Sequence, residues 1–135
     1  MQSTTKFVGL DVSKEKISVA IADVSGEAPR YYGSIPHTPA ALRKLIKELG
    51  PAETLSFCYE AGPTGYETYR WITSMGAHCV VIAPSLIPKR PGDQVKTDRR
   101  DAEQLARLYR AGELTPVYVP EREDEALREL VRARE

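Results

Sequence analysis

The chain carries no excess charge of either sign: 19 Lys and Arg stand against 19 Asp and Glu, and the formal net charge is zero. A global basic field of the kind that announces nucleic acid is therefore absent. Cysteine and histidine are scarce, with two of each. Cys58 and Cys79 fall inside apolar, strand-like runs with neither CxxC spacing nor a His close in sequence. That makes them buried free thiols and argues against a zinc site or a catalytic thiol. No apolar run approaches the ~18 residues of a membrane span, and MQSTTKFVGL lacks the long apolar core of a secretion signal, so a cytoplasmic protein is expected. A second glycine-rich phosphate loop is missing too, and GLDVSK lacks the Gly and Thr pattern that lets a phosphate approach the backbone. Both absences count against a sugar-kinase or actin-like ATPase.

What is present reads as one soluble domain. The 135 residues, 41% apolar and 28% charged, suffice for one compact core and are too few for two. Charge is uneven locally. PKRPGDQVKTDRR holds Lys89, Arg90, Lys96, Arg99 and Arg100 against Asp93 and Asp98. Such a run is commonly a solvated loop, but this one lies beside acids of interest, which favours phosphate contact.

Lys6 to Val12 and Lys16 to Val24 are β-rich runs joined tightly around Ser13 to Glu15, and Arg30 to Ile35 gives a third strand after the SGEAP turn. Thr38 caps a helix with Pro39 in its first turn, Leu42, Leu45, Ile46 and Leu49 form its apolar stripe, and Gly50 ends it. Leu55 to Glu60 is a fourth strand. A helix from about Tyr66 to Met75, stopped by Gly76, leads to a fifth strand, His78 to Ala83; Tyr66 and Trp71 are expected to pack in the core. After the Pro-rich APSLIPKRPGDQ, a last helix runs from about Asp98 to Ala111. A three-strand meander followed by alternating helices and strands is the ribonuclease H-like order. It predicts a five-stranded mixed sheet flanked by helices, with the first strand central and the fourth parallel beside it.

That order turns four scattered acids into a constellation. Neighbouring strands lie ~4.8 Å apart, so Asp11 on the first and Glu60 at the end of the fourth can address a common point. Asp98 and Asp101 share a stripe with Ala102, Leu105, Ala106 and Tyr109, which turns both inward and leaves Arg99 and Arg100 toward solvent. Each acid has a plainer explanation: Asp98 and Asp101 suit a helix N-terminus, and Glu60 ends a strand. Asp11, inside an apolar β run, is the hardest to explain without a partner or cation. Lys14, Lys96, Arg99 and Arg100 flank the acids and are the candidate phosphate contacts.

VGLDVSKEKISVAIAD, FCYEAGPTGY and above all KTDRRDAEQLARL resemble the N-terminal domain of DEDD-type transposases of bacterial insertion sequences, a family that also includes Piv-type DNA invertases. The similarity spans essentially the whole chain. It implies a RuvC-like ribonuclease H fold in which Asp11, Glu60, Asp98 and Asp101 bind divalent metal, usually magnesium. It also implies a following helical segment, a second domain with a catalytic serine, and in some members a structured RNA that selects DNA. Residues 1–115 are then the catalytic domain, and 116–135 begin a linker or helical segment toward a C-terminal domain. Leu127, Leu130 and Val131 start an amphipathic helix that is cut short, so the chain is expected to be one domain of a longer recombinase, inactive alone and homo-oligomeric when full length.

Chemistry agrees with the acids. Two cations ~3.5–4 Å apart, held by carboxylates, can activate a nucleophile and stabilise a leaving oxygen in phosphodiester transfer. A site of carboxylates without His or Cys suits magnesium or manganese better than zinc. The alternatives are a stand-alone Holliday-junction nuclease with the same fold, a non-catalytic nucleic-acid-binding or dimerisation module, and a complete small protein that self-associates through its tail.

Overall fold

The β-branched runs at the N-terminus pair as an antiparallel hairpin, β1 (Lys6–Val12) with β2 (Lys16–Asp23), from Lys6 opposite Asp23 to Val12 opposite Ile17. The structure is a computed structural model and describes residues 4–62, 65–83 and 98–120, with the side chain of Asp98 excluded. Lys96, the Pro-rich stretch and residues 121–135 lie outside the described residues. β3 (Arg30–Pro36) extends the meander along β2, with a register shift at Val19/Ala20.

α1 (Pro39–Leu49) forms as its signals dictate. Thr38 Oγ1 accepts from Ala41 N at 3.1 Å, Pro39 occupies the first turn, and Gly50, at φ 131°, takes a backbone conformation that side chains resist. A 3₁₀ turn (Ala52–Thr54) leads into β4 (Leu55–Glu60), which lies parallel to β1, and α2 (Glu67–Ser74) crosses to β5 (His78–Ile82), parallel to β4. α3 (Asp98–Arg110) returns over the opposite face, and β6 (Pro116–Val117) closes the order β3-β2-β1-β4-β5-β6. The central first strand and its parallel fourth neighbour are as expected from sequence. Among the described residues the sheet has six strands and not five: β6 pairs only through Val117 with Val81 and Pro116 with Ile82. A two-residue strand beginning with proline leaves no periodic trace in sequence.

The sheet faces differ in content. Val8, Leu10, Ile17, Val19, Ile21, Phe57 and Tyr59 pack with Leu42, Leu45 and Ile72 of α1 and α2, and Tyr66 and Trp71 join at the margin. On the other side Ala20 and Ala22 meet Ala102 and Ala106, while Cys58 and Ile82 meet Leu105. Cys58 and Cys79 are buried free thiols, as read from sequence. Among the described residues no helix is long and apolar enough to cross a membrane.

Candidate active site at the carboxyl ends of the central strands

Gly9 sets how closely α3 can approach. A Cβ at this position would lie 2.4 Å from the Ala102 carbonyl oxygen, 2.6 Å from the Ala106 nitrogen and 3.0 Å from Leu105 Cβ. Two of those neighbours are backbone and cannot rotate away, so only glycine permits this contact. Two residues earlier on the same face, the Phe7 ring meets Tyr109 edge-on with centroids 5.3 Å apart. The contacts therefore run backwards along α3 as β1 advances, from Tyr109 beside Phe7 to Ala102–Ala106 beside Gly9. Two strand residues cover ~6.6 Å, the rise of four to five helical residues. The next step on that face is Asp11, and the same step along the helix reaches the turn that begins at Asp98.

β4 supplies the neighbouring row. Its register with β1 runs from Lys6 opposite Leu55 to Leu10 opposite Tyr59, and one further residue aligns Asp11 with Glu60. Cys58, in register with Gly9, faces α3: its Sγ lies 3.8 Å from the Leu105 carbonyl oxygen. Alternation then puts Asp11 and Glu60 on the α3 side as well. Asp11 and Asp101 are half-buried and Glu60 is exposed. Among the described residues no three His, Cys, Asp or Glu side chains are gathered as a metal cage. Asp98 contributes only its backbone to that description.

The candidate phosphate contacts are peripheral. Lys14 lies in the exposed β1–β2 turn, and Arg99 and Arg100 are exposed on α3, as the stripe predicts. Arg99 Nε donates to Glu103 Oε1 at 2.8 Å one helical turn away, and its guanidinium lies 5.3 Å from the centre of the Tyr31 ring. With 67% of its side chain exposed, that ion pair contributes little stability. Lys96 lies outside the described residues.

Three supports for this end of the sheet were not evident from sequence. The Lys14 carbonyl lies 3.2 Å from His37 Nδ1, and because a carbonyl only accepts, Nδ1 carries the proton. Nε2 lies 2.8 Å from the hydroxyl of the buried Thr68, and the ring meets Trp71 at 5.3 Å. His37 thus ties the Lys14 turn to α2. Tyr66 gives α2 no side-chain cap; the Tyr59 hydroxyl instead accepts from Tyr69 N at 3.2 Å and donates to the Gly65 carbonyl at 3.1 Å. A buried phenol on β4 therefore fastens the segment that follows Glu60. Its burial pushes the Tyr59 pKa well up, so the group stays a neutral donor. Third, Ser18, opposite Asp11 in the β1–β2 ladder and 1% exposed, lies 3.4 Å from the Ser34 hydroxyl on β3 and so links β2 to β3.

Comparison with known proteins extends this geometry. A sequence model of the IS110-type DEDD family, described as transposase, matches residues 8–135. The chain is 56% identical over 131 residues to a Sinorhizobium fredii protein named "Putative transposase y4qE", covering 95% of this chain and 33% of that protein. It is 39% identical over 131 residues to the transposase for insertion sequence element IS1533 of Leptospira borgpetersenii, covering 96% of this chain and 38% of that one. The chain thus spans between 33% and 38% of the length of these relatives. In three dimensions it is similar to Thermus thermophilus RuvC solved in complex with a Holliday junction substrate, with TM-score 0.51 and 10% identity, covering 84% of this chain and 99% of that one. That likeness shows a RuvC-like, ribonuclease H-like fold.

Proposed function

The chain belongs to the IS110-type DEDD transposase family, and from that premise we propose that residues 1–115 are the metal-dependent catalytic domain of a DNA transposase, with residues 116–135 leading toward a further domain. Asp11, Glu60, Asp98 and Asp101 are the proposed ligands, and DNA is the proposed substrate. The carrying observation is the parallel register of β1 and β4, which runs to Leu10 opposite Tyr59 and, continued by one residue, sets Asp11 beside Glu60 on the face α3 approaches over Gly9. The donor set fits a hard cation. Magnesium typically takes one or two carboxylates and keeps several waters, so an Asp11–Glu60 pair with help from the first turn of α3 is sufficient, and manganese fits the same oxygens. When bound, such ions would neutralise charge at the phosphorus centre undergoing strand transfer.

The chain's own residues do the rest. Asp11, half-buried, has its backbone fixed within the central strand, and Glu60, exposed, faces the solvent from which DNA arrives. Lys14, Arg99 and Arg100, with Lys96 two residues before Asp98 in sequence, are the proposed phosphate contacts that offset repulsion by the acids and orient the backbone without reading sequence. A nucleophilic hydroxyl would come from elsewhere in the full-length protein, in keeping with the family's serine-bearing second domain. A guide RNA, as some family members use, would enter there as well.

A manganese titration by calorimetry, comparing wild type with Asp11→Ala and Asp98→Ala under identical salt, tests the reading. Loss of binding in both variants is expected. Unaltered binding in both would leave these acids as structural caps and favour a non-catalytic module. If the acids converge as proposed, Asp11→Asn should also raise metal-free stability by removing one of several like charges, while lowering manganese affinity. Robust, Asp11-dependent cleavage of a Holliday junction by the 135 residues alone would favour the stand-alone nuclease instead.

A further inference from the structure

We propose that Ser18 is a positioning residue for Asp11, the middle member of a hydroxyl chain in which Ser34 donates to Ser18 and Ser18 donates to the Asp11 carboxylate. The inference rests on the metal-site reading above. Asp11 and Ser18 are directly opposite in the β1–β2 ladder. Counting from the bond between Ser13 N and Lys16 O at 2.9 Å, the antiparallel alternation makes Asp11 and Ser18 a hydrogen-bonded pair, with side chains on one face. Cβ atoms of such pairs lie ~5.5 Å apart, within reach of a serine hydroxyl and an aspartate carboxylate.

The chemistry of the position is unusual for its place. Along the α3 face of β2 the next residues are Ala20 and Ala22, fully buried and packed on Ala102 and Ala106. An alanine at position 18 would continue that surface. A buried hydroxyl instead costs desolvation unless it is partnered. Among the described residues the buried polar side chains are Ser18, Ser56 and Thr68. Ser56 meets Thr4 at 2.8 Å, and Thr68 meets His37. Ser18 Oγ lies 3.4 Å from the hydroxyl of Ser34, an exposed residue on β3. Either hydroxyl of this pair can donate; with Ser34 as the donor, the Ser18 proton is left for an acceptor across the ladder. A carboxylate accepts such a bond strongly and is held by it in one rotamer, as metal-ligating carboxylates generally are.

The test uses manganese binding by the purified chain and the melting temperature without metal, for wild type, Ser18→Ala, Ser18→Thr, Ser34→Ala and Asp11→Asn. Ser18→Ala should weaken binding roughly 10-fold, with the metal-free melting temperature unchanged or higher. Ser18→Thr, which keeps the hydroxyl, should restore affinity. Ser34→Ala should produce a smaller loss that does not add to that of Ser18→Ala. If Asp11→Asn abolishes binding while Ser18→Ala binds like wild type, this inference is overturned and the metal site stands. Weakened binding in Ser18→Ala and Ser18→Thr alike, with lower melting temperatures, would make Ser18 a packing residue and overturn it too. Wild-type affinity in Asp11→Asn would remove the metal site itself, and the inference with it.

Discussion

The two faces of the sheet solve different problems. Beneath α1 and α2 the strands present Leu10, Phe57, Tyr59 and Ile17, all fully buried, so that face gains stability through apolar area. Beneath α3 they present Gly9, Ala20, Ala22 and Cys58, which bury little area per residue and instead bring helix and strand backbones together. One face is built for volume and the other for proximity. Asp11 and Glu60 lie on the proximity side by alternation, and their distance from the start of α3 depends on how near that helix can come.

Removing volume from the first face should have the largest effect on stability. Phe57→Ala should cost about 3–5 kcal/mol in denaturant unfolding, while a variant that still folds should keep manganese affinity near wild type. Adding volume to the second face should invert that pattern. Gly9→Ala forces a methyl against the α3 backbone, costing about 1–3 kcal/mol, and should weaken manganese binding far more than Phe57→Ala does. If Gly9→Ala binds metal normally, proximity is not what that face provides. Tyr59→Phe, which removes the hydroxyl serving Tyr69 and Gly65, should cost about 1 kcal/mol and increase amide exchange at Tyr69.

Each face also holds a buried thiol and a tyrosine whose pKa burial raises, Tyr59 fully buried and Tyr109 half-buried, and their titration is the smallest expected effect at neutral pH. Burial raises Cys79 and Tyr59 on the α1–α2 side; on the α3 side it raises Cys58 and pushes Tyr109 up to about 12. Unfolded, these groups lose protons near 9.0 for Cys and 10.0 for Tyr. Above those values the unfolded chain binds fewer protons than the folded one, so stability falls with rising pH. Melting temperature should hold steady below about pH 9 and decline toward pH 12. Tyr109→Phe should soften that decline by relieving only the α3 side.

Much of this fold was legible because its signals are local. The hairpin around Ser13 to Glu15, the Thr38–Pro39 helix start and the α3 stripe of Ala102, Leu105 and Ala106 all appear where periodicity and caps place them. The four acids stood out by their places at the ends of strands and a helix, and the family resemblance implied a metal role for them. What sequence hid was non-local. Gly9 reads as a weak spot in a strand until the distant α3 backbone is seen against it. The α2 cap comes from Tyr59 across a loop, where a local Ser or Asp is normally sought. Ser18 escaped notice because β2 is buried on both faces, so KISVAIAD shows no alternation to mark a polar intruder.

At the far end of α3, Arg110 donates to the carbonyls of Asp23 at 2.9 Å and Glu27 at 2.6 Å, fastening the helix to the turn between β2 and β3. From that hinge pin to Asp98 the helix is a lever arm of about 20 Å. A tilt of about 3° at the pin would swing its tip by about 1 Å, a displacement that can cost on the order of 100-fold in rate at a reacting centre. In the proposed metal site, the aim of the Asp98 end would thus depend both on the contact of α3 at Gly9 and on how firmly an arginine grips two carbonyls at the far end.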